Sequence, residues 1–199
     1  RTLAFRFGQD QRVAALAYLS LVLWLSGFPD RASHAIDRAL EEVGEINHVN
    51  SRGYLLAWGA APLAHFRLDA AAVRQYADAV ISLAEEHGLL MWLAYGKIFR
   101  GWASGAQGRP SESVPEIVQG IADCRATRTL RDAPYHLSLL AETLHRAGRT
   151  AEALEAISEA LGYVAKTQDR WWDAELHRLN GELLLSLAAP YPTEAEACY

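Results

Sequence analysis

Residues 147–185, AGRTAEALEAISEALGYVAKTQDRWWDAELHRLNGELLL, read as a glycine turn at Gly148, an amphipathic helix, a polar break at Thr167-Gln168-Asp169, and a second helix opened by Trp171-Trp172. Small residues stand where two helices must touch closely: Ala153 five residues after Gly148, Ala160 twelve after, and Ala141 seven before. All three lie within apolar spacing of i, i+3/i+4, the mark of helices with one buried face.

The rest of the chain copies this stretch. Moved back in steps of about forty residues, the spacing of a helical-hairpin repeat, the same ruler lands on Gly108, Leu68 and Gly27. The turns after each anchor are alike: Phe28-Pro29-Asp30-Arg31-Ala32, Asp69-Ala70-Ala71-Ala72-Val73, Arg109-Pro110-Ser111-Glu112-Ser113 and Arg149-Thr150-Ala151-Glu152-Ala153. Pro29 and Pro110 fall at equivalent places, where proline suits the first helical position because its missing N–H had no helical partner. These small positions correspond to those of a tetratricopeptide repeat, which the chain resembles in this respect.

Composition bounds the class. The chain is 51% apolar with a formal charge of −5, which describes a globular protein. The acidic balance, with no basic stripe to offset it, excludes a phosphate backbone as partner. Cys124 and Cys198 stand in no metal or redox spacing, which suits a reducing cytoplasm rather than a disulfide framework.

Arg1 to Gln9 reads as a lead-in, and the absence of an opening methionine with the stop at Tyr199 inside a helical pattern predicts a fragment of a longer chain. After Asp10, an N-cap residue, Val13 to Phe28 carries no charge. A membrane span needs roughly 20 apolar residues; this run is shorter and ends in Gly-Phe-Pro, so a helix buried between neighbours is expected. Pro29 to Ile46 is its two-faced partner. The second pair spans Ser51 to Arg67 and Asp69 to His87, closed by Gly88 as a left-handed cap. The third spans Leu90 to Gln107 and Pro110 to Thr127. Here Lys97 and Arg100 replace apolar residues, and Pro115 is expected to kink the helix or delay its start. Arg125 to Arg131 is a basic loop. The fourth pair spans Asp132 to Ala147 and Thr150 to Lys166; the fifth begins at Asp169, reaches about Ala188, and resumes at Thr193.

With no linker or change of composition, the expectation is one all-α domain over residues 1–199, an α-α superhelix (a tetratricopeptide-like solenoid) of about five helical hairpins. Such a stack presents a concave groove lined by the first helix of each pair. Counted from the small positions, the groove should receive Leu55, Trp58 and His65, then Tyr95 and Trp102, then Tyr135, Glu142 and His145, then Glu175, Arg178 and Glu182. It would be aromatic in the middle and charged toward the C-terminal end.

Signs of catalysis are weak. Gly96-Lys97 lacks the glycine spacing of a phosphate-binding loop, and the seven histidines include no helical i, i+3 or i, i+4 pair to clasp a metal. His177 four after Asp173, and His145 three after Glu142, fit helix-surface pairs. No serine or cysteine sits in a strand-turn-helix context. The chain is therefore read as non-enzymatic, with no cofactor and no metal. The six tryptophans serve either as packing or as anchors for a bound helix or peptide.

Asp169-Arg-Trp-Trp-Asp-Ala-Glu-Leu-His-Arg-Leu-Asn-Gly-Glu-Leu-Leu-Leu185, Phe99-Arg-Gly-Trp-Ala103 with Gly108-Arg-Pro110, and Ala195-Glu-Ala-Cys198 resemble the C-terminal repeat region of large bacterial signalling proteins. Those carry a class III adenylate/guanylate cyclase or winged-helix domain, then a STAND-like ATPase, then tetratricopeptide-type repeats. The resemblance implies an interaction and regulatory module whose partner is a protein or peptide, its own upstream domains included. A small-molecule sensor binding in the aromatic centre is the alternative. Self-association through the C-terminal end is a variant of the first reading, and neither nucleic acid nor membrane is expected as a partner.

Overall fold

The structure, a computed structural model, describes Ala4 and residues 8–46, 48–187 and 191–198. Every regular element among these residues is helical: α1 (Gln11–Leu25), α2 (Pro29–Glu45), α3 (residues 49–66), α4 (Ala70–His87), α5 (Leu90–Ala106), α6 (Pro110–Ala126), α7 (Ala133–Arg146), α8 (Thr150–Thr167), α9 (Asp173–Leu185) and α10 (Pro192–Glu196). Most of the expected lead-in, Ala188-Ala189-Pro190 and Tyr199 lie outside the described residues.

The boundaries follow capping chemistry. Asp10 accepts hydrogen bonds from the amides of Arg12 and Val13 at the start of α1, and Asp69 accepts from Ala72 at the start of α4, each satisfying donors that a helix end leaves open. Gly88 closes α4 in the left-handed conformation, at φ 67° and ψ 32°. The four repeat anchors turn the same way, with φ of 82° at Gly27, 55° at Leu68, 97° at Gly108 and 74° at Gly148.

Two elements depart from the sequence expectation. α3 is not a plain helix: α-helical Val49–Tyr54 widens into π-helical Leu55–Ala60 before returning to α-helix at Ala61–Phe66. The Ala61 amide donates to Leu56 O, five residues back. Pro62 is the physical reason, since its ring crowds the carbonyl four residues earlier and it has no N–H to give, and a widened turn relieves both. Pro115, by contrast, does not delay the start of α6, which runs from Pro110 through it. It is exposed, as is Ser111 four residues earlier, whose carbonyl it deprives of a donor.

Contacts group the chain into two compact units, Arg1–Arg100 and Gly101–Tyr199, divided within α5 rather than at a linker. In the first unit α1 packs on α2, and α3 packs on α4 and on α1. In the second, α7 packs on α6 and α8, and α9 packs on α8 and α10. Helices thus pack as neighbouring pairs.

Close packing sits where the ruler places it. Seven residues before each anchor stand Ser20, Ala61, Gly101 and Ala141; five after stand Ala32, Val73, Ser113 and Ala153; twelve after stand Ala39, Val80, Gly120 and Ala160. All are buried. Gly101 shows why bulk is excluded there: a Cβ would overlap Ile117 Cγ1 of the partner helix and stand 3.2 Å from Ser113 O.

Candidate functional site

In the second unit the first helices α7 and α9 carry an ordered charged face. Arg178 sits between two carboxylates one turn away on either side, bonding Glu175 through Nε at 2.7 Å and Nη2 at 2.5 Å, and Glu182 through Nη1. The hydrogen bond to Glu175, followed by the charges of Glu175, Glu182 and Glu142, raises its pKa further above the ordinary arginine range. Glu142 accepts from the Trp102 indole Nε1–H at 2.9 Å and from Arg146 at 3.2 Å. The Arg146 guanidinium lies 5.3 Å from the Trp102 ring centre, in cation–π range. Trp102, Glu142 and Arg146 thus form one bonded set, and Arg178, Glu175 and Glu182 a second on α9.

The aromatic residues expected in the groove sit deeper. Trp102 is 1% exposed, Tyr95 and Tyr135 3%, His65 4% and Leu55 0%. Trp58 is half-buried, its ring 4.5 Å from that of Tyr18. Tyr135 meets Trp172 at 4.9 Å and Trp171 at 5.4 Å between ring centres, and burial, then Glu142 and Asp132, push its hydroxyl pKa well up. The cause is reach: the Trp102 indole meets Glu142 of α7, and the Tyr135 ring meets Trp171 and Trp172 at the start of α9, so these rings are taken up in packing. Glu142 is mostly covered, with 13% of its side chain exposed, whereas His145, Arg178 and Glu182 are exposed and Glu175 is intermediate.

The two histidine pairs diverge. His177 lies 3.6 Å from Asp173, the helix-surface pair its spacing suggests. His145 turns to Thr150 Oγ1 at 3.3 Å, while Glu142 bonds Trp102 and Arg146. The expected basic loop begins inside a helix: Arg125, in the last turn of α6, pairs with Glu159 at 2.5 Å, and Arg131 pairs with Asp132 at 3.4 Å. Among the described residues no His, Cys, Asp and Glu cluster could hold a metal ion, and no helix is long and apolar enough to cross a membrane.

One feature escaped the sequence reading. Between α6 and α8 lies a cleft of about 240 Å³, floored by Leu137, Leu140 and Leu144 of α7 and bordered by Val114, Val118 and Ala156. The corresponding place in the first unit, between α2 and α4, holds only about 70 Å³. Eight residues after the anchor the first unit has Tyr76 and the second has Ala156. Tyr76 lines the smaller cleft as Ala156 lines the larger, and burial, ahead of the charges of Asp37 and Asp69, raises its hydroxyl pKa. That one difference in size was readable, had the register been followed past the close-packing positions.

The fold and this face define an all-helical protein of paired helices with a charged first-helix surface. No family model matches the chain. It is 28% identical over 171 residues, 86% of its length, to a protein of Rhizobium meliloti (strain 1021) described as uncharacterized, and that match spans 16% of the relative.

Proposed function

We propose that the chain is a non-catalytic interaction and regulatory module, a tetratricopeptide-like superhelix within a multidomain signalling protein, which offers its first-helix face to its own upstream domains or to a protein partner. The observation that carries this is the pair of bonded charged sets, one on α7 and one on α9. Their carboxylates and guanidinia are held in place by one another, so a partner of complementary charge meets a surface already ordered, which lowers the entropic cost of binding. The shared register of turns and buried small residues supports the repeat reading. A match covering 16% of the relative supports a role inside a larger polypeptide, for which an ATPase behind a cyclase or winged-helix output domain is the form proposed. The free cysteines, Cys124 buried and Cys198 partly so, suit a cytoplasmic setting. The sensor alternative finds less support, because the aromatic residues it needs are packed against one another.

The test is calorimetric titration of this chain with its upstream domains. Saturable binding, weakened about tenfold by Arg178→Ala, which is about 1.4 kcal/mol, is the expected result. Absence of binding, or binding indifferent to Arg178, would overturn the proposal.

A further inference from the structure

One face of α1 is apolar and exposed. Val13, Ala14, Leu16, Ala17, Ser20 and Leu21 are buried, but Tyr18 and Leu19 are each 45% exposed, Val22 57% and Leu25 62%. With the exposed Ala15 they make one continuous face at i, i+3/i+4 spacing. A helix apolar all round belongs in an interior.

The later first helices show what covers this face. Moved by the distance between anchors, Tyr18 corresponds to Gly59 of α3, where a Cβ would stand 3.1 Å from Ala17 Cβ and 3.2 Å from Ile36 Cδ1 in the preceding hairpin. Ala15 corresponds to Gly96 of α5, where a Cβ would stand 2.5 Å from Ile81 Cγ1 and 2.8 Å from Val80 Cγ1 of α4. Val22 corresponds to Thr143 of α7, whose Cγ2 lies 2.8 Å from the place of a Cβ on Gly105 of α5. In all three cases the neighbour at this register is the hairpin before.

We propose that the outer face of α1 seats the apolar side of an amphipathic helix from one further hairpin of the same polypeptide, packed on α1 as α4 packs on α5. Two observations choose this occupant over a second copy of the chain. The relative carries its matching region as 16% of its length, so such proteins have ample chain to supply a hairpin. The last long helix, α9, exposes His177, Arg178 and Glu182, charges that would lose water against the apolar stretch from Ala15 to Leu25, while Arg12 at the foot of that stretch already pairs with Glu42 at 2.8 Å. The inference rests on reading the chain as part of a longer polypeptide, but not on its regulatory role.

The experiment is hydroxyl-radical labelling of residues 13–28, read by mass spectrometry, in this chain alone and in the full-length polypeptide. The equivalents of the exposed residues are 1% exposed at Ala60, 4% at Leu63 and 0% at Leu139, so labelling of Leu19, Val22 and Tyr18 should fall about tenfold in the full-length protein. The double variant Leu19→Glu, Val22→Glu should leave melting of the isolated chain unchanged, since both residues face water there, and should restore labelling of Tyr18 in the full-length protein. Equal labelling of the two wild-type proteins would overturn the proposal. So would protection in the isolated chain together with a sedimentation dimer that the double variant dissociates, the signature of a second copy. Failure of the Arg178 titration leaves this result untouched, so the two proposals fail separately.

Discussion

Acid should destabilise this protein through one buried side chain. His136 on α7 is 2% exposed, and burial pushes its pKa from 6.5 down to about 4, against a smaller upward pull from Asp132 one turn earlier. The folded value lies below the unfolded one, so as pH falls the unfolded chain binds the proton first. The stability contributed by the neutral imidazole is fully present above about pH 6.5 and is lost progressively as pH falls toward and through about 4. The loss amounts to about 2 kcal/mol at pH 5 and approaches about 3 kcal/mol below pH 4. Against a net stability of about 5–15 kcal/mol for an ordinary domain, that is a large share. The assay is urea unfolding of the wild type and of His136→Gln at pH 7 and pH 5. The two proteins differ only at position 136, so the difference between their pH dependences reports on His136. The wild type should lose about 2 kcal/mol more than the variant between the two pH values. Equal losses would refute the burial argument.

Three further outcomes are expected. Trp102→Ala should cost about 3–5 kcal/mol in denaturant unfolding, because the ring is 1% exposed and its indole N–H bonds Glu142; a cost near zero would return the residue to an open wall. Leu68→Gly should stabilise by about 1 kcal/mol in the same assay, since Leu68 holds φ 55° and is 73% exposed, so little packing is lost when the strain is relieved. Alkylation by iodoacetamide at pH 8 should modify Cys198 and spare Cys124 in the native protein, because burial, followed by Asp123 and Asp132, pushes the Cys124 thiol up to about 12 and the thiolate is the reacting form; peptide mass mapping reads the result.

What the sequence disclosed was spacing, and what it concealed was direction and bulk. The anchors Gly27, Leu68, Gly108 and Gly148 could be found because a left-handed turn and the small residues around it are fixed by backbone sterics. The π-helical turn at Leu55–Ala60 was hidden because Pro62 reads either as a break or as a kink, and only the packing of α3 on α1 and α4 keeps the helix going through it. The charged residues of the candidate face were also legible, as the i, i+3 and i, i+4 partners of Arg178 show.

The tryptophans explain why the aromatic half of that face was misplaced. Trp92 on α5 donates its indole N–H to Asn50 on α3 at 2.7 Å, Trp102 on α5 to Glu142 on α7 at 2.9 Å, and Trp172, at the start of α9, to Ser138 on α7 at 2.9 Å. Each bond joins two neighbouring first helices. A large ring with one donor suits that place, because it fills the space between hairpins while its own N–H, buried with the ring, finds an acceptor on the neighbouring helix. Gly53 is the counterpart on α3: a Cβ there would stand 2.6 Å from Trp92 Cδ1, so the ring can approach only because the side chain is missing. Periodicity places such a ring on the first-helix side but does not say whether it turns along the helix row or out of it. The partners were visible in the sequence about one repeat away, as Asn50, Glu142 and Ser138. Pairing each tryptophan with a polar residue at that distance would have assigned Trp92, Trp102 and Trp172 to the core and left Arg178, Glu175 and Glu182 as the charged face of α9.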